Sequence, residues 1–418
     1  MKISHWLSTL AEDATPDLDE CIAMLGKSID WLYRYKETPQ DPEWHAEGDV
    51  HIHTNMVLDA LYKLFLNEAA HLQGWQRQAL ILGVVLHDIA KSVRTKTVEI
   101  RGIERVVAPQ HESIGRSYLA FKLMEFDLPF KVIWQVLNLV GEHHMPKLLM
   151  VKNSAQADFF RLARQVDTEL MYYLEVADMS GRICPDVEQQ ILYLDEFRLF
   201  AEEYCVWGRS LDIRSILAPH LNNLTESAQH YVYAQAMYQL EQGRISMPEE
   251  ALATTYQHRN HHSHLVMMCG PSGAGKSTWI KANYPDYALI SLDELRKEFN
   301  GNQGSQKNKG QIIQAAKEQL RVALRNKQGV VWDATNLRQD FRSIIGDLGR
   351  AYHALVSLII FLQDEKQLFQ ANRQREYDVP NSVLLKQLAS YQFPQLNEAH
   401  QVEVIGVKGK LLYRSGYY

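Results

Sequence analysis

The stretch GPSGAGKST, Gly270 to Thr278, has the spacing G-x-x-x-x-G-K-[ST] of a loop that holds phosphates. Gly270, Gly273 and Gly275 let backbone amides turn inward around phosphate oxygens, and the start of the following helix adds partial positive charge. Lys276 would reach the β and γ phosphates and Ser277 would supply a hydroxyl to Mg²⁺, with Ser272, Ala274 and Thr278 completing the loop. ATP or another nucleoside triphosphate with Mg²⁺ is the expected ligand. The loop does not say where the phosphoryl group goes, because ATPases, GTPases and metabolite kinases share it.

Three further stretches bear on the acceptor. In SLDELR, Asp293 follows an apolar run and stands where a carboxylate could take the proton from an acceptor hydroxyl. Arg296, three residues on and on the same helical face, could bridge acceptor and transferring phosphate. The competing reading is a helix start, with Ser291 or Asp293 as cap and Arg296 and Lys297 as surface charges. VVWDATN places Asp333 at the end of another apolar run, suited to supporting Mg²⁺ or orienting a substrate. NRQREYDVP carries Arg373 and Arg375, which could close over the nucleotide as a lid, although paired helical arginines are more often simply exposed.

The first half holds a different chemistry. His53 in DVHIHT, His87 and Asp88 in LHDIAK, His111 in PQHESIG, His143 and His144 in GEHHMP, and Asp178 in EVADMSGR follow one another along helical segments. Any one such histidine is ordinarily a packing or surface residue. Together, imidazole and carboxylate suit divalent Zn, Mn, Fe, Co or Ni, and Asp88 is placed to bridge two ions. Helices converging from distant positions can build such a two-metal centre inside a bundle, where bound water becomes a nucleophile for phosphorus. His45 and His51 fit no position in the set. His258, His261, His262 and His264 lack a partner carboxylate or cysteine and read as a polar connection.

These residues need two kinds of scaffold. Residues 1 to about 243 read as successive helices, with apolar positions returning every three and four. Residues 244–263 read as a linker. From 264 to 418, the runs LVMMC, YALIS, GVVWD, HALVSLIIFL and VEVIG alternate with helical stretches, which predicts a parallel α/β sheet. The expected fold is multidomain: an all-α N-terminal domain and a C-terminal α/β domain. At 418 residues, with 46% hydrophobic and 22% charged residues, the chain suits two ordinary cores and excludes disordered and fibrous classes. From Leu265 onward there are 20 Lys and Arg against 14 Asp and Glu, or +6; the total of −6 leaves −12 before it. A polyanion would more readily meet the second half. Four scattered cysteines without metal spacing, short apolar runs and no signal-like leader lead to the expectation of a cytoplasmic protein with no membrane partner.

GPSGAGKSTW, SLDELR, VVWDATN and NRQREYDVP together resemble the 5′-OH polynucleotide kinase domains of phage and RNA-repair proteins, over most of residues 264–395. The resemblance makes Asp293 the general base on a 5′-OH, Arg296 a contact to the acceptor and γ phosphates, and Arg373 or Arg375 the lid arginine. The His and Asp series resembles the HD-domain phosphohydrolases over about residues 45–185, and EGDVHIHTNMVLDAL is also similar to the HD domain of bacterial CCA-adding enzymes. That resemblance implies one metal on His53, His87, Asp88 and Asp178, a second on His111, His143 and His144 with Asp88 between them, and Lys91 as a phosphate contact.

The pairing of domains resembles the bifunctional HD-phosphohydrolase and polynucleotide kinase family of bacterial RNA end-healing enzymes. It implies action on RNA or DNA strand ends. A 2′,3′-cyclic, 2′- or 3′-phosphate would be cleared from one end and a 5′ phosphate added to the other, so that a ligase could join them. The alternatives are a nucleotide-salvage protein, pairing an HD nucleotidase with a small-molecule kinase, and a nucleotide-regulated adaptor. The polar stretch NGNQGSQKNKG after Asp293, more often simply flexible, could order over a polynucleotide.

Overall fold

A computed structural model describes residues 2–301, 307–375 and 378–417. The chain divides into two compact units, Met1–Leu211 and Asp212–Tyr418. Much of the polar stretch 300–310, and Glu376 and Tyr377 of the arginine segment, fall outside the described residues.

The first unit is multi-helical. Helix Val50–Phe65 begins on an Asp49 cap that accepts from the Ile52 N–H at 2.8 Å, and it buries Val50, His53, Val57, Leu58 and Leu61 along one stripe. Helix Trp75–Leu86 is buried from Arg77 to its end, and therefore delivers His87 and Asp88 into the interior rather than to solvent. Helix Thr168–Ser180, capped by Asp167, is buried along most of its length. It stops at Gly181, where an added Cβ would lie 2.5 Å from the Val57 backbone nitrogen. That close approach of two backbones brings Asp178 beside His53, and only glycine leaves room for it.

The all-α expectation needs one correction. Strands β1 (Lys96–Ile100) and β2 (Ile103–Val107) form an antiparallel hairpin between Lys91 and helix His111–Lys122. Its two-residue turn is Arg101-Gly102, both at positive φ, as tight hairpins require.

The second unit is built on a six-stranded sheet in the order β4-β5-β3-β6-β7-β8. Strands β3 (His264–Cys269), β4 (Ala288–Ser291), β5 (Gly329–Asp333), β6 (Leu355–Phe361) and β7 (Gln401–Ile405) are parallel and match the five expected runs. An antiparallel edge, β8 (Leu411–Ser415), was not foreseen. The chain passes from β3 to β4 and β5 on one side, then crosses to β6 on the other, so the C-terminal end of β3 is a topological switch point.

The division between units falls after Leu211, not after residue 243, and residues 244–263 are not a free linker. Helix Glu226–Glu241 belongs with the sheet: Tyr231 and Ala234 pack on Leu355, and Tyr238 meets the His400 ring edge-on. Ile245, Ala251, Thr255 and Ser263 are buried, and Glu250–Thr254 is helical. His262 stacks on Tyr231 and His258 on His353, which accounts for two of the histidines of that stretch as packing.

A buried ion pair fixes the end of β3. Arg342 is fully buried and donates from Nε and Nη2 to the two Glu398 oxygens, at 2.6 and 3.0 Å, and from Nη1 to Asn336 O at 3.0 Å. Asn336 in turn donates to Met268 O at 2.6 Å, and Gly270 N–H to Thr335 O at 2.9 Å. The segment after Asp333 is thereby stitched to the start of the phosphate loop. Glu398→Ala would strand the guanidinium and should cost about 3–5 kcal/mol. Urea unfolding checks this, with a loss below about 1 kcal/mol excluding the role.

Candidate functional site

In the second unit the three carboxyl ends that matter are adjacent. The phosphate loop leaves β3, Asp333 ends β5 beside it, and Ser291 of β4 lies in register with Asp333, which puts Asp293 just beyond. Gly273 (φ 82°) and Gly275 (φ 93°) have the left-handed backbone that turns the loop into helix Lys276–Asn283. Ser277 and Thr278 are exposed at its first turn, and Ala274 is buried in the core beneath. Lys276 Nζ donates to Gly270 O at 2.9 Å and Pro271 O at 2.7 Å, so the ammonium is already folded back across the loop.

SLDELR opens a helix, as its capping reading has it. Ser291 caps helix Leu292–Asn300, while Asp293 pairs with Arg296 one turn on. Burial pushes the Lys276 ammonium down, opposed by the charges of Asp333 and Asp293. Burial pushes the Asp333 carboxyl up, opposed by Lys276 and Arg375 and reinforced by Asp293. The charge of Arg375 bears on this group, Arg373 ends helix Glu365–Arg373, and both arginines are exposed.

The first unit brings His53, His87, Asp88, His111, His143 and Asp178 into one buried cluster. Asp88 divides it. Its Oδ2 lies 3.3 Å from His87 Nε2, 3.8 Å from His53 Nε2 and 2.8 Å from Lys91 Nζ. Its Oδ1 lies 3.2 Å from His111 Nε2 and 3.9 Å from His143 Nε2. Asp178 Oδ1 completes the first side, 3.0 Å from His53 Nε2 and 3.9 Å from His87 Nε2. His144, more exposed, closes the second side with His111 and His143.

The tautomers follow from the backbone. His87, His111 and His143 each place Nδ1 against a carbonyl three residues back, at 2.7, 2.8 and 2.9 Å. A carbonyl only accepts, so each Nδ1 carries the proton and each Nε2 presents a lone pair inward. His53 Nδ1 lies 2.8 Å from Glu47 Oε1. Among the described residues, the Nε2 atoms of all four, Asp88 Oδ1 and Asp178 Oδ1 are buried without a hydrogen-bond partner, and Asp88 Oδ2 has the Lys91 ammonium beside it. Lone pairs facing one another across a few ångströms repel unless a cation lies between them. These residues fit two divalent ions, one on each side of Asp88.

A ring of residues that the sequence did not single out supports the cluster. Glu47 also takes His45 Nδ1 at 2.9 Å and the Ile183 N–H at 2.9 Å, so His45 stands one layer behind the ligands. Arg182 holds Asp178 Oδ2 at 2.6 Å, and Lys147 lies 2.9 Å from Glu175 and 3.7 Å from Asp178. Lys91 also donates to Gln40 at 2.7 Å. Burial pushes the Asp88 carboxyl up, but His87, Lys91 and His111 outweigh it and hold it well below the usual range. His51 points away to Asp19.

A family model described as an AAA domain matches residues 265–394. No curated protein matches the chain. The second unit therefore contains a P-loop kinase-like domain, consistent with use of a nucleoside triphosphate and Mg²⁺ in phosphotransfer. Among the described residues, no helix is long and apolar enough to cross a membrane.

Metal analysis of the purified protein should find about two divalent transition ions per chain. Asp88→Asn should hold less than one, and His51→Ala should hold the full complement. Equal loss in both variants would count against Asp88 as the shared ligand.

Proposed function

We propose that the chain heals both ends of a broken RNA strand, removing a 2′,3′-cyclic, 2′- or 3′-phosphate at the HD-like cluster and phosphorylating the opposite 5′-OH at the phosphate loop. The observation that carries this reading is the presence, in one chain, of a buried double-sided His and Asp cluster and a phosphate loop with its own Asp–Arg pair.

In the kinase reaction Asp293 takes the proton of the 5′-OH, whose oxygen then attacks the γ phosphorus as the bond to the β phosphate breaks. Arg296, released from Asp293 as that carboxylate is neutralised, meets the acceptor phosphate. Lys276 and Arg375 offset charge on the transferring group, and Asp333 supports the Mg²⁺ taken up by Ser277.

At the cluster, divalent metal held by these ligands would supply a water of lowered pKa for attack on phosphorus. Glu47, Asp88, Glu175 and Asp178 are nearly balanced by Lys91, Lys147 and Arg182, so two divalent cations leave the pocket positive. A phosphate is the substrate that discharges it. Lys91 would turn from Asp88 to a non-bridging oxygen, while Arg182 and Lys147 keep Asp178 and Glu175 oriented. The ester bond to the ribose oxygen breaks, and that oxygen leaves with a proton.

The basic second half favours a polynucleotide over the free nucleotide of a salvage enzyme. RNA bearing a 5′-OH and a 2′,3′-cyclic phosphate, given a nucleoside triphosphate and divalent metal, should be altered at both ends. Asp293→Asn should slow 5′ phosphorylation by about 10²–10⁴-fold and leave hydrolysis at the other end within about two-fold. Equal turnover of free nucleosides would favour salvage instead.

A further inference from the structure

The apex of the phosphate loop is held by a residue outside every motif. Ser272 N–H donates to Gln387 Oε1 at 2.8 Å, and Gln387 Nε2 donates to Ser272 Oγ at 3.0 Å. One carboxamide thus supplies both an acceptor and a donor to a single loop residue.

Gln387 lies on helix Asn381–Ala389, whose inner stripe is Leu384, Gln387 and Leu388 at spacings of three and four. Leu384 is buried in the core cluster that contains Ala274 of the loop, and Leu388 packs against that cluster. Val383 and Leu385, on the other face, are exposed. Gln387 is the polar group on an otherwise apolar contact, where an amide is costly unless both its ends are satisfied.

The same helix is tied to the other working parts. Asn372 is buried and bonds to both polar groups of the Val379 backbone, at 2.7 Å from Nδ2 to O and 3.1 Å from N–H to Oδ1. It thereby joins the chain before Arg375 to the chain that enters the Gln387 helix. An added Cβ at Gly273 would lie 3.2 Å from the Asn372 backbone, so this junction rests directly on the phosphate loop. Beyond the helix, Gln392 N–H donates to Leu337 O at 2.8 Å, and its Oε1 accepts from Gln339 N–H at 2.7 Å, just after Asp333.

We infer that Gln387 is a positioning residue for phosphoryl transfer: it locks the loop apex, which carries the donor phosphates, to the segment that carries Arg375. It need not touch the nucleotide. Its effect passes through Ser272 and Asn372 to the relative placement of the γ phosphate and the guanidinium, where an error of about 1 Å can cost about 10²-fold in rate. Glutamine is suited to the task because glutamate would offer no donor to the hydroxyl and would set a negative charge beside the phosphates.

This inference rests on reading the second unit as a phosphotransferase that uses Arg375, so its test has two readouts. In steady-state phosphorylation of a 5′-OH oligonucleotide, Gln387→Ala should lower kcat by at least about ten-fold with donor KM within about three-fold. In an Arg375→Ala background, the same change should cost less than about two-fold more. Unchanged kcat, or losses that multiply, would overturn the role. Gln387→Glu preserves shape and keeps the test open should the alanine variant misfold; it should lower kcat and also raise donor KM.

The second readout needs no acceptor. In hydrogen exchange with a non-hydrolysable nucleotide analogue and Mg²⁺, the wild-type chain should gain protection in both 270–280 and 381–390. Gln387→Ala should gain it in 270–280 alone, and retained protection in 381–390 would overturn the coupling. If the wild-type chain phosphorylates no polynucleotide, the proposed function fails, and exchange alone decides the part played by Gln387.

Discussion

Four imidazole Nε2 atoms and both oxygens of Asp88 crowd together among buried side chains. Burial deprives each of hydration, and like-signed partial charges at 3–4 Å raise the cost further. The surrounding structure is arranged to maintain that cost. Carbonyls at Val84, Ala108 and Val140 fix the tautomers of His87, His111 and His143, Glu47 lies against Nδ1 of His53, and Arg182 holds Asp178. Gly181 lets two helices meet backbone to backbone so that Asp178 reaches the cluster at all. A fold that holds so many acceptors in place could take up cations among them.

The second unit solves the complementary problem of holding an anion. Its loop relies on backbone amides, which cost nothing in charge and cannot be neutralised by protonation. What needs support is their position. That support comes from below through Arg342, Glu398 and Asn336, and from above through Gln387 and Asn372. Asp293 is exposed and pairs with the half-buried Arg296.

The parts legible in the sequence were those with a short-range signature. The phosphate loop, the five parallel strands and the series of clustered histidines each follow from local spacing or a continuous apolar run. The hairpin was in principle legible too, because KTVEI and IERVV alternate around a two-residue Arg-Gly turn; the surrounding helical texture hid it. Other features depend on contacts that spacing cannot encode. Periodicity makes Glu226–Glu241 a helix but cannot say which core it joins, and it packs on Leu355 of β6. Gln387 is a single polar residue whose partner Ser272 lies 115 positions away in sequence, and Glu47 ties the nearby His45 and His53 to Ile183, 136 positions away. The charge of Arg375 bears on Lys276 and Asp333, which spacing alone does not show.

The most direct test of this account is anomalous diffraction from crystals grown with Mn²⁺. Two peaks should flank Asp88, one contacting Oδ2 with His53, His87 and Asp178, the other Oδ1 with His111, His143 and His144. An ordered cluster with no peak, or with its histidines bonded directly to the carboxylates, would contradict it.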